Sequence, residues 1–126
     1  MPTDDHTQAA SAEQSRAVLH ASGAKDLPPR PWQHPGQPLA DLELVRHAAW
    51  LARSPEVEAE VLSAGLRLLE SARAELDQIE AGLLFAARAR GMTWPELSEA
   101  LGLRSPQAAQ QRFGRITDRV VGGRAT

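Results

Sequence analysis

The chain has 126 residues, enough for one small domain or slightly more, and a net charge of −2. It has no Cys, which excludes disulfides and thiolate metal sites and fits a cytoplasmic setting. The charge is uneven: residues 36–83 hold nine acidic and four basic side chains, whereas residues 84–126 hold seven Arg against Glu96, Glu99 and Asp118. That contrast points either to a polyanion partner for the last third or to a solvated Arg-rich surface.

In chain order, residues 1–37 read as a disordered, Pro-rich arm. The first part is polar, and five Pro in LPPRPWQHPGQP (27–38) exclude a helix there. The stretch 9–21 offers too little apolar surface to hold more than a transient helix. Trp32 either anchors a partner from a polyproline-II-like segment or docks on its own domain. No basic segment followed by an apolar run opens the chain, so no secretory signal is expected. The apolar run AGLLFAA (81–87) is too short to span a membrane, and a membrane partner is not expected either.

From Leu39 a helical period begins, with Leu39, Leu42, Val45 and Ala49 in one stripe, widened by Leu44 and Leu51. Ser54-Pro55-Glu56 then marks a new start, Ser as N-cap and Pro in the first turn. One long helix is predicted over 55–90, with kinks at Gly65 or Gly82 as the natural breaks. Along it Leu62, Leu69, Leu76 and Leu83 recur every seven residues, with Gly65, Ala72, Ile79 and Ala86 in the other seam position. The seam suits either the 39–53 helix or a second subunit in a homodimer. Residues 38–76 thus form a helical scaffold or dimerisation element.

The segment RGMTWPELSEALGLRSPQAAQQRF (90–113) holds two helix starts around one Gly. Thr93-Trp94-Pro95-Glu96 is a capping box, in which the Thr hydroxyl accepts the amide of Glu96 and Glu96 reaches back. Gly102 is the stop, since a positive φ costs glycine little, and Leu103 plugs the turn. Ser105-Pro106 opens a second helix with Ala109, Phe113, Ile116 and Val120 facing inward. A short helix, a Gly turn, an apolar plug and a second helix make a helix-turn-helix pattern. The predicted DNA-binding unit is 77–121, with helices near 77–90, 94–101 and 106–120, and a disordered tail at 122–126.

On the outer face of the last helix, Gln107, Ala108, Gln111, Arg112 and Arg115 are candidate base contacts, with Gly114 and Asp118 beside them and Gln110 on the other edge. Gln bonds adenine, Arg bonds guanine, and an Ala methyl meets the thymine methyl. Arg88, Arg90, Thr93, Arg104, Ser105 and Arg119 are candidate phosphate contacts. These readings give an all-α, sequence-specific double-stranded DNA-binding protein, a cytoplasmic, nucleoid-associated transcription regulator. The alternative is a helical protein–protein interaction module whose partner, sigma-factor-like or an adaptor, meets the acidic 41–80 surface or the N-terminal arm.

Residues 73–116 resemble the C-terminal half of small actinobacterial helix-turn-helix proteins, of the small-heat-shock-protein transcriptional regulator type. The matching residues are Glu75-Leu76-Asp77, Trp94-Pro95-Glu96-Leu97, Ala100-Leu101-Gly102 and Gln107-Ala108-Ala109-Gln110-Gln111-Arg112-Phe113. The segment is also similar to the promoter-binding helix-turn-helix of sigma factors, although its turn LRSP is one residue longer than the commonest. The resemblance covers about a third of the chain and implies DNA binding. His6, His20, His34 and His47 are too scattered to suggest a metal site. The carboxylates of ELDQIE read as a solvated helix face. With no phosphate-cradling Gly loop and no nucleophile motif, the expectation is a non-catalytic protein without cofactor or metal.

Overall fold

A computed structural model describes the backbone of residues 2–125 and the side chains of residues 5–122. Among the described residues, six α-helices and one 3₁₀ turn account for the regular structure and no strand occurs. The helices are α1 (Pro2–Ala21), α2 (Asp41–Leu51), α3 (Ala59–Arg67), α4 (Leu69–Ala89), α5 (Trp94–Leu101) and α6 (Pro106–Ala125). The 3₁₀ turn is Ala24–Asp26. The chain divides into two compact units, residues 1–73 and 74–126.

In the first unit α1 packs against α2 and α3. The core is Leu19, Ala24, Leu44, Ala48, Val61, Ala64 and Leu68, with Ala12, Val18, Leu39, Val45, Leu51 and Val57 packed around it. Helix α1 corrects the expectation of an unstructured arm over residues 2–21. It docks through small side chains and one large one, Ser15 and Leu19 being buried and Ala12 partly so. A polar tie supports this contact: Arg16 donates to both oxygens of Asp41 at 2.8 and 2.9 Å, and Ser71 donates to Asp41 as well. Burial pushes the Asp41 carboxyl up, but the bonds from Arg16 and Ser71 and the Arg16 charge together hold it below the ordinary carboxylate value. The Pro-rich stretch that follows is not helical, as expected, and Trp32 there is 77% exposed instead of docked.

Two further expectations are corrected in this unit. The inward face of α2 is Asp41, Leu44, His47 and Ala48, while Ala49 is exposed; the core lies on the side assigned only to widening the stripe. Ser54 does accept the Glu56 amide at 3.2 Å, but the chain there forms only a turn, and the helix predicted from Pro55 begins instead at Ala59. It then breaks at Leu68, not at a glycine. The Leu68 amide is shared between the Ala64 and Gly65 carbonyls at 3.3 Å, with φ −91° and ψ −1°, and its side chain is wholly buried. Gly65 is needed for a different reason. A Cβ there would stand 2.8 Å from the Ala48 Cβ, so α2 and α3 approach at a distance only glycine allows.

The break also divides the heptad seam. Gly65 and Ala72 are buried, and Leu69 is half-buried, while Leu62, Leu76, Ile79 and Leu83 are exposed.

The second unit contains most of α4 together with α5 and α6. Its core is Leu84, Leu97 and Ala109, joined by Ala87, Met92, Trp94, Leu101, Leu103 and Phe113. Two glycines with positive φ, Gly91 (86°) and Gly102 (69°), turn the chain between the three helices. Both sit in the same double hydrogen-bond closure. Gly91 N–H donates to Arg88 O and Met92 N–H to Ala87 O; Gly102 N–H donates to Glu99 O and Leu103 N–H to Ser98 O. Each closure delivers an apolar residue, Met92 or Leu103, into the core. Helix α6 runs to Ala125, so residues 122–125 are helical where an unstructured tail was expected; Thr126 lies outside the described residues.

Candidate nucleic-acid interface

The site is built by local chemistry. Thr93 caps α5 by accepting the Glu96 amide at 3.2 Å, and the Glu96 carboxylate accepts from the Thr93 amide and hydroxyl at 3.0 and 2.8 Å. The bonds from the Thr93 amide and hydroxyl hold the Glu96 carboxyl below its ordinary value. Ser98 is buried and donates to Leu103 O at 3.1 Å, fixing the turn from inside. Ser105 accepts the Ala108 amide at 3.1 Å and starts α6, with Pro106 as its first residue. Phe113 holds the inner face by edge contacts to Phe85 and Trp94, at 5.0 and 5.7 Å between centroids. Ala109 and Ile116 are buried and Val120 partly so, as the spacing predicts.

The opposite face of α6 is in solvent. Gln107, Gln110, Gln111, Gly114, Arg115 and Asp118 are exposed, and Ala108 is partly covered. Among the described residues, none of the side chains of Gln107, Gln110, Gln111 and Arg115 is engaged by an intrachain hydrogen bond or ion pair. A Cβ on Gly114 would meet nothing within 4 Å.

Other expected site residues are occupied. Arg112 forks onto Glu80 of α4, donating at 2.7 and 3.0 Å. These bonds, with the charges of Arg112 and Arg119, pull the Glu80 carboxyl below its ordinary value against partial burial. Arg119 approaches Asp77 at 3.7 Å. Arg88 donates to Met92 O at 2.7 Å and lies over the Trp94 ring at 4.5 Å. The Thr93 and Ser105 hydroxyls are both engaged in caps. Arg90 and Arg104 are exposed, without intrachain partners among the described residues.

Glu80 and Asp77 were read in the sequence as a solvated face. Their roles become visible only when α6 is laid beside α4, because their partners are 32 and 42 residues away. The lone usable signal was the i,i+3 spacing of the two acids set against the i,i+7 spacing of Arg112 and Arg119.

No group of three or more His, Asp or Glu side chains that could hold a metal occurs among the described residues. No described helix is long and apolar enough to cross a membrane. Comparison with protein-family models, with curated proteins and with solved structures returns no match.

Proposed function

We propose that this protein binds double-stranded DNA with sequence preference, as a transcription regulator, by laying the first half of α6 in the major groove. The observation that carries the reading is the split character of α6. Its inner face is packed, while its outer face presents three glutamines and an arginine with no intrachain partner among the described residues, next to a glycine that keeps the surface low. A surface helix with no ligand gains little from Gln at successive turns, whereas amide and guanidinium forks match base edges. Helix α5 and the residues of the Gly102 turn pack against α6, the support a reading element requires.

The roles within the site follow from which side chains are available. Gln107, Gln111 and Arg115 read bases, with Gln110 on the flank and Ala108 beside a thymine methyl. Arg104 and the amino end of α6 meet phosphate. Arg112 is withdrawn from base reading: its fork is spent on Glu80, so it braces α6 against α4. Arg88 and Arg119 serve the unit's own packing in the same way.

Selection of bound sequences from random duplexes, followed by binding measurements on variants, tests this. Gln107→Ala, Gln111→Ala and Arg115→Ala should each cost about 1–3 kcal/mol on the selected site and relax preference at one position. Arg112→Ala should instead lower thermal stability, by about 1 kcal/mol after solvent screening. Equal losses on every duplex would show that the face meets only phosphate. Loss of preference at none of the three positions would remove α6 as the reading helix.

A further inference from the structure

Away from α6, the first unit gathers positive charge around one exposed aromatic ring. That unit is acidic overall, with ten Asp and Glu against seven Lys and Arg over residues 1–73. Three of its arginines nevertheless stand around Trp50. Arg53 donates to the Trp50 carbonyl at 3.3 Å, and its guanidinium lies 5.3 Å from the centre of the indole. Arg46 precedes Trp50 by one turn of α2, on the same side of the helix, and Arg30 lines a cavity with both. Trp50 stays 58% exposed all the same.

The cavity holds about 270 Å³, just below the roughly 300–1,000 Å³ of small-ligand clefts. Trp50, His47 and Leu27 supply its apolar and aromatic wall, and Arg30, Arg46 and Glu43 its charges. The His47 ring is buried and fixed: Nε2 donates to the Ser22 carbonyl at 3.2 Å, and the ring stacks on Trp50 with centroids 6.2 Å apart. Arg30 is committed to Glu43 at 3.1 Å. Arg46 is exposed and, among the described residues, its side chain makes no intrachain hydrogen bond or ion pair. A fixed aromatic surface therefore stands beside one uncommitted guanidinium.

We infer that this cavity binds a small aromatic carboxylate, with the ring against Trp50 and the carboxylate on Arg46. Each part of the ligand answers a different residue. A flat ring gains on an indole face beyond the area it buries, and Leu27 adds apolar contact. A carboxylate matches the guanidinium fork with two parallel hydrogen bonds. Glu43 limits the charge, because a carboxylate in the same cavity repels a second negative group and so disfavours phosphate chains and nucleic acid. The volume limits the size to about one ring. All of these residues belong to the first unit, so the binding stands independently of the DNA-binding reading.

The chain has three tryptophans, so its indole N–H signals in a nitrogen–proton correlation spectrum report the site directly, with Trp50→Phe identifying the one that matters. Benzoate is the probe, titrated into the full chain through the millimolar range. Benzyl alcohol offers the ring without the charge, cyclohexanecarboxylate the charge without a flat ring, and a short thymidine oligonucleotide the polyanion. Benzoate should move the Trp50 signal to saturation and leave those of Trp32 and Trp94 in place. Arg46→Gln, at an exposed position, should raise the benzoate Kd about tenfold, as expected for one lost charge-assisted pair, with the circular-dichroism melt unchanged. Arg46→Lys should recover part of that loss. No saturating shift, or an equal response to either single-feature control, would overturn the proposal. So would a benzoate Kd that Arg46→Gln leaves unaltered. Tighter binding of the oligonucleotide than of benzoate would make this a nucleic-acid surface and overturn it as well.

Discussion

The two units reach the same helical end by different means. In the second, the boundaries between α4, α5 and α6 are set by residues within about five positions of them: Thr93 with Glu96, Ser105 with Ala108, Gly91 with Arg88, Gly102 with Glu99. In the first, the decisive contacts join residues 25 or more apart, such as Arg16 with Asp41 and His47 with the Ser22 carbonyl. The first unit also has little side-chain capping: neither Ala40 nor Glu58, the N-caps of α2 and α3, makes a side-chain cap bond. Its helices depend on one another, whereas those of the second unit carry their own start and stop signals.

The sharpest way to break this comparison is to remove α1. Deleting residues 2–21 should expose Leu44, Val61 and Leu68 and unfold the first unit; Leu19→Ala alone should cost about 3 kcal/mol in urea denaturation, since Leu19 is wholly buried. An unchanged midpoint would mean that α1 is not part of the core.

The Arg16–Asp41 tie comes next. Arg16→Ala leaves a buried carboxylate with Ser71 but without its cation, and should cost about 2–3 kcal/mol at neutral pH. The pH dependence has a definite sign. The folded-state pKa of Asp41 lies below the unfolded carboxylate value of about 3.9, so the stabilisation is complete above that value and is lost as pH falls through the folded one. Acid titration of the wild type should therefore show a loss in this window that Asp41→Asn lacks. Equal acid slopes for the two proteins would show that the tie contributes nothing.

Gly65→Ala should destabilise by about 1–2 kcal/mol despite alanine's better helix propensity, because the Ala48 methyl has nowhere to retreat. A gain in melting temperature would show that α2 and α3 can separate without penalty. The smallest effect belongs to the second unit: Thr93→Ala removes one cap and should cost about 1 kcal/mol, a small drop in melting temperature. If it cost as much as Leu19→Ala, the second unit would be no more locally determined than the first.

The all-helical fold, the α5–turn–α6 segment and the inward face of α6 were legible in the residues themselves, because capping boxes, N-terminal prolines and positive-φ glycines act through bonds a few residues long. The alternation of Ala109, Phe113, Ile116 and Val120 with Gln and Arg was equally plain, and with it the outward set Gln107, Gln111 and Arg115. Three matters were decided only in three dimensions. Helix α1 buries Ser15 and Leu19 and partly buries Ala12, a face too poor in large apolar groups to register as a stripe, and it depends on a charge pair with Asp41 across 25 residues. The supposed long helix breaks at Leu68, a wholly buried residue where no glycine or proline marks the break. Arg112, indistinguishable by spacing from a base contact, is claimed by Glu80, since a guanidinium goes to whichever carboxylate the packing of α6 on α4 brings within reach.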